Sequence, residues 1–223
     1  MELLSINTAK AIWILSVNDL NPRGKNLDGL LKWLTSKYKF EKYPASSYLE
    51  DQSKGYVFSA GSFPRGSHKD DNIYVDVTIF NDGFVANTRS STKDSDDFLS
   101  EALTLATAEF HLAYRPEMIR KKLYLSELEV KMDKSLNLIN PKLKAFTERI
   151  SSLQGSVPQI SYECSSIIFL PDPSVQQWRP SNFVLERKLN VPISENRYYS
   201  VAPFHTEDHL ELLKLFEEHI LLE

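Results

Sequence analysis

Asn72-Ile-Tyr-Val-Asp-Val-Thr-Ile-Phe80, then Asn81-Asp-Gly83, then Phe84-Val-Ala-Asn-Thr-Arg89, is the stretch that decides the fold class. Its period is two. Ile73, Val75, Val77 and Ile79 fall on one side of an extended chain, and Tyr74, Asp76, Thr78 and Phe80 on the other. Asn-Asp-Gly between two apolar runs reads as a hairpin turn in which glycine takes the positive φ, so residues 84–89 return antiparallel. A strand with one apolar and one polar face belongs to an antiparallel sheet whose helices lie on one side.

Working upstream, residues 56–63 read as a strand, joined to the first by the loop Pro64-Arg-Gly-Ser-His-Lys-Asp-Asp71. Residues 40–44 form a short extended piece. Before them a helix is opened by Asn26 as N-cap, with Leu27, Leu30, Leu31, Leu34 and Tyr38 on one face. Asn21-Pro-Arg-Gly24 is a turn, and Ala11 to Val17 a buried strand.

Downstream, Ser90-Ser-Thr-Lys-Asp94 leads into a second helix. Its first turn is acidic (Asp94, Asp96, Asp97), which suits the positive end of the helix dipole. Phe98, Ala102, Ala106 and Phe110 make its apolar stripe, and it ends before Pro116. A strand over 123–132 follows. Asn140-Pro141 opens a third helix with Leu143, Phe146, Ile150 and Leu153 on one face and Gly155 as its cap. Strands over 160–170, 183–188 and 197–202 precede a final helix over 206–222.

The element order is β-α-β-β-β-β-α and then β-α-β-β-β-α. The expectation is one α+β domain, 1–223: an antiparallel sheet or sheets with helices packed on one face. Two similar halves, 1–115 and 120–223, would each carry a β-α-β-β-β-α unit. Small echoes support this pseudo-duplication: Leu20-Asn-Pro22 and Ile139-Asn-Pro141 each precede a helix, and Glu109-Phe-His111 and Glu217-Glu-His219 each close one.

Composition bounds the function. The 223 residues are 42% hydrophobic, 25% charged and 11% aromatic, which is globular and large enough for a core without covalent staples. A net charge of -4 with no basic block argues against nucleic acid and against an anionic membrane surface. The longest strongly apolar stretch, Ala11-Ile-Trp-Ile-Leu15, is far short of a membrane span. Residues 1–10 lack the pattern of a secretory signal. Cys164 is the only cysteine, so no internal disulfide forms. Its apolar run predicts a small buried core residue. A cytoplasmic location is expected.

No linear catalytic motif is present: no Gly-x-Ser-x-Gly, Cys-x-x-Cys, Gly-x-Gly-x-x-Gly or His-Glu-x-x-His. His205-Thr-Glu-Asp-His209 spaces two imidazoles as zinc ligands on a helix would be spaced, but it reads better as a Thr206 N-cap followed by Glu207 and Asp208. His68 beside Asp70 and Asp71 reads as a polar loop. Arg23-Gly-Lys25 lacks the spacing of a phosphate loop, and seven glycines leave few backbone cradles. No cofactor and no metal are expected.

What remains is surface for a partner. Trp178 and Arg179, in the proline-rich loop 171–181, and Arg197, Tyr198 and Tyr199, at the start of a strand, are of the types enriched in binding hot spots. The sheet face opposite the helices adds Tyr74, Asp76, Thr78, Asn87 and Arg89. In strand 123–132 the set with Glu127, Glu129 and Lys131 is expected to face out, because unpaired charges are costly to bury. The expected function is therefore recognition of another protein, as a subunit, an adaptor, or an inhibitor of a toxin or enzyme. Two alternatives stay open. One is an enzyme using loop histidines and carboxylates in a cleft between the halves. The other is a small-ligand binder with an apolar pocket between the sheet and the C-terminal helix.

Overall fold

The computed structural model describes residues 1–24, 28–45, 54–64, 72–153, 160–174 and 180–221. It contains four helices and an eight-stranded antiparallel sheet, an α+β fold. In chain order the elements are β1 (Glu2–Ile14), α1 (Asp28–Tyr38), β2 (Tyr56–Pro64), β3 (Asn72–Phe80), β4 (Gly83–Thr88), α2 (Thr92–Phe110), β5 (Lys121–Lys131), α3 (Pro141–Leu153), β6 (Ser166–Phe169), β7 (Phe183–Arg187), β8 (Arg197–Ala202) and α4 (Thr206–Leu215). A π-helical turn, Phe216–Ile220, continues α4. Strand neighbours run β2-β3-β4-β1-β5-β8-β7-β6.

Residues 40–44, expected to be a strand, make only an isolated bridge, Lys42 to Ser59. The element order is then β-α-β-β-β-α twice over. Neighbour order also recurs, as β2-β3-β4-β1 in the first run and β6-β7-β8-β5 in the second.

The chain divides into two compact units, Thr8–Ser126 and Met1–Asn7 with Glu127–Glu223, so the boundaries fall inside β1 and β5. The cause is strand length. β4 pairs with Ala9 to Ile14 of β1, leaving the first residues of that long strand to the other unit.

In the Thr8–Ser126 unit, β3 alternates as its sequence dictates: Ile73, Val75 and Val77 are buried, while Tyr74 is half exposed. α1 and α2 cover that face. Phe98, Leu99, Ala102, Leu103 and Ala106 form the buried stripe of α2. Aromatic rings dominate the core. Tyr38 lies 4.8 Å from Phe98 between centroids, and Phe98 lies 5.4 Å from Phe63, both edge-on. α2 starts at Thr92, with Asp94 in its first turn, because Ser91 caps it by accepting from the Asp94 amide at 3.0 Å.

The hairpin differs from expectation in its reason for glycine. β3 and β4 pair Phe80 with Gly83, so the turn is Asn81-Asp82 and Gly83 already belongs to the strand, without a positive φ. It must be glycine because a Cβ there would stand 2.2 Å from the Trp13 carbonyl oxygen.

In the other unit, Leu128, Val130, Met132, Leu185, Tyr198 and Leu213 form the core. Three sequence expectations change here. β1 begins at Glu2, not Ala11: Glu2–Thr8 are already extended but exposed or half-buried, Leu3 and Leu4 included, so they carry no buried run to mark a strand. The strand expected over 160–170 shrinks to Ser166–Phe169. Cys164 is half-buried at the rim of the core, not enclosed within it.

Candidate functional site

α4 begins at Thr206, and Glu207 and Asp208 make its first turn acidic. Thr206, His209, Leu213 and Phe216, at helical spacing, bury one side of it. The helix is apolar over a wider arc than that stripe needs. Leu212, Leu215 and Ile220 turn toward the end of the sheet, where β6 is the last strand. With Phe169, Phe183 and Phe204 they line a groove of about 460 Å³. The π turn places His219 and Ile220 on its wall. The groove is open: Phe169 is 54% exposed and Ile220 49%. A sheet-edge strand beside an exposed apolar trough is a surface that proteins normally blunt.

α3 is the second open apolar feature of this unit. Its expected stripe exists, but only Thr147 is buried on the whole helix. Phe146 is 62% exposed and Leu153 68%. The helix packs through Leu143, Thr147 and Ile150, buried or half-buried, and leaves the Phe146–Leu153 edge of its stripe in the open. Asn140 caps it by accepting from the Lys142 amide at 2.9 Å, and Asn137 accepts from the Cys164 amide at 2.9 Å.

Beneath α4 lies a buried pair, Ser200 and His209, 2.8 Å apart and both fully enclosed. Ser200 donates its hydroxyl proton to the Val184 carbonyl at 2.8 Å. His209 Nε2–H is then the donor to Ser200 Oγ, and Nδ1 has no partner among the described residues. Burial pushes the His209 pKa down to about 4. This imidazole is a neutral packing group, in edge contact with Phe183 at 5.7 Å. It is not one of a pair of metal ligands with His205, which sits at the helix N-cap.

The residues expected to meet a partner separate into four groups. Trp178 and Arg179 lie outside the described residues, as do His68, Asp70, Asp71 and Lys25. Arg197, Tyr199, Glu127 and Glu129 do converge, on β5 and β8. There they bind one another: Glu129 holds Arg197 and, at 2.8 Å, Lys188, while Tyr199 bonds to Glu127. Those two cations hold the Glu129 carboxyl below its usual range, and burial with the neighbouring Glu127 pushes Tyr199 up to about 12. Glu129 is thus buried by its ion pairs, contrary to its expected solvent position.

Tyr198 also corrects its expectation. Strand parity turns it into the core, fully buried. Its hydroxyl accepts from the Leu136 amide at 3.3 Å and from Arg187 at 3.0 Å, and Arg187 pairs with Glu163. Asp76 and Arg89 belong to the other unit. Asp76 accepts from the Ala60 amide at 2.9 Å and so fixes a bulge where Ala60 has φ 62°. Arg89 is exposed.

The Thr8–Ser126 unit holds a smaller feature, an apolar cavity of about 90 Å³ between α1, α2 and the strands, walled by Leu34, Val77, Phe84 and Leu103 among others. Among the described residues, no group of three or more His, Cys, Asp or Glu side chains is gathered as a metal site. No described helix is long and apolar enough to cross a membrane.

No protein-family model matches this chain, and no curated protein matches it by sequence.

Proposed function

We propose that this chain is a protein-binding protein of the cytoplasm, acting as a subunit, adaptor or inhibitor. The observation that carries the reading is the open apolar groove between α4 and the β6 edge. Keeping Phe169, Leu215 and Ile220 in water forgoes roughly 1.5–3 kcal/mol for each such side chain buried, a cost that a partner would recover. Grooves of this kind accept an amphipathic helix, and edge strands accept an extended segment. The ion-paired face of β5 and β8, with Arg197 and Tyr199, is the second surface in this reading.

The test is affinity purification of the full chain beside a Leu215→Asp, Ile220→Asp variant, followed by quantitative mass spectrometry. The reading expects a stoichiometric protein that the variant loses. Identical protein profiles for both chains would refute the groove as the binding surface.

A second reading has one observation of its own, the apolar cavity of the Thr8–Ser126 unit. Apolar voids of that order stay dry and admit small apolar molecules. Native mass spectrometry of the purified chain would show such a molecule as an added mass. A Leu103→Trp variant, which fills the space, would lose it.

A further inference from the structure

We infer that the groove between α4 and β6 receives helix α3 of a second copy of this chain. This rests on the protein-binding reading of the groove and names the occupant. The argument begins with shape. α3 offers Phe146 and Leu153, seven residues apart on one face and both largely exposed. Seven residues are two helical turns, roughly 10.5 Å. The groove offers a matching trough along two turns of α4 and its π extension, from Leu212 to His219.

Charge selects the same partner. On α3, Lys142 and Arg149 flank the apolar stripe, also seven residues apart, and Lys144 adds a third cation against Glu148 alone. On α4 and its extension, Glu211 and Glu218 flank the groove at the same spacing. Glu207 and Asp208 add to them, and Lys214 is the one exposed lysine or arginine there. A basic apolar stripe thus faces an acidic apolar trough with its charges in register. Because each copy carries both parts, a two-fold pair would make the contact twice, with both apolar surfaces covered and none left over.

Sedimentation velocity on the full chain, from about 1 to 100 µM, tests this, since a micromolar dimer dissociates across that range. The expected wild type is a dimer that dissociates on dilution and weakens several-fold as salt rises. Phe146→Asp with Leu153→Asp should be monomeric, and so should Leu215→Asp with Ile220→Asp. All four side chains are exposed, so at a concentration where the wild type is monomeric the variants should keep its circular dichroism and melting temperature. Mixing the two variants should restore a heterodimer through the one intact helix and the one intact groove. A wild type that is monomeric throughout overturns the inference, as does a dimer that either variant leaves intact. A monomer whose groove variant still loses a foreign protein would overturn the second copy while leaving the protein-binding reading standing.

Discussion

The two units use one connectivity and finish it differently. In the Thr8–Ser126 unit, two helices close over the sheet, and Tyr38, Phe58, Phe63 and Phe98 fill the space beneath. In the other, α4 covers the sheet but leaves a trough at its edge, and α3 rests on the unit with Phe146 and Leu153, one edge of its apolar stripe, left exposed. Their polar interiors differ as well. The first spends few buried charges, and Asp96 is its chief ionic hub, accepting from Trp13 at 2.7 Å and pairing with Lys122 at 2.8 Å. The second encloses Glu163 with Arg187, Glu129 with Lys188 and Arg197, and the Ser200–His209 pair. Connectivity therefore says little about where a surface is left open. That is decided by which helix faces find something to cover them.

The largest expected effect tests the closed unit. Phe98→Ala removes the ring that joins Tyr38 to Phe63 and should cost about 3–5 kcal/mol in denaturant unfolding. A cost under about 1 kcal/mol would mean that the core relaxes freely and that the contrast with the other unit is false.

Next comes acid. His209 is neutral in the fold, with a pKa of about 4, against 6.5 when unfolded. As pH falls from 6.5 toward 4, the unfolded chain takes up a proton that the folded chain refuses. Stability present in full above pH 6.5 is lost across that window, by up to about 3 kcal/mol. His209→Gln should flatten the slope, as urea titrations at stepped pH would show. The window lies above the one set by Glu129, whose lowered pKa confines its loss of stability to pH below 4.5.

Smaller again is Tyr198→Phe. It strands the Leu136 amide and one Arg187 donor, and should cost about 1–3 kcal/mol. Were Tyr198 a partner contact, the change would spare stability and weaken binding; the buried position predicts the reverse. The smallest effect on stability is expected at the open helix. Phe146→Asp should move the unfolding free energy by no more than about 0.5 kcal/mol, because the residue is 62% exposed.

Much of this architecture was legible in the residues. The alternation of residues 72–80 gave β3 to the residue, because one face of that strand is buried and the other is not. Arg197–Ala202 was read correctly as a strand, but not its parity: adjacent tyrosines point to opposite faces, and only pairing with Arg187 and Glu186 says which is inside. The spacing of His205 and His209 was visible. The Ser200 hydroxyl that occupies His209 was not, since only the packing of α4 back onto β8, nine residues earlier, brings the two together. The α3 stripe was equally visible, but amphipathicity tells which side is apolar and not whether anything covers it. The groove draws on residues from 169 to 220, too dispersed for a motif, although the width of the apolar arc on α4 was a signal that the helix has a second contact to make.

Hydrogen–deuterium exchange on the full chain, at one protein concentration that favours the monomer and one that favours association, tests the contrast most directly. The account predicts that added protein protects residues 141–153, 166–169 and 206–220, and leaves 72–110 unchanged. Protection that appears instead in 72–110, or no change anywhere, would contradict it.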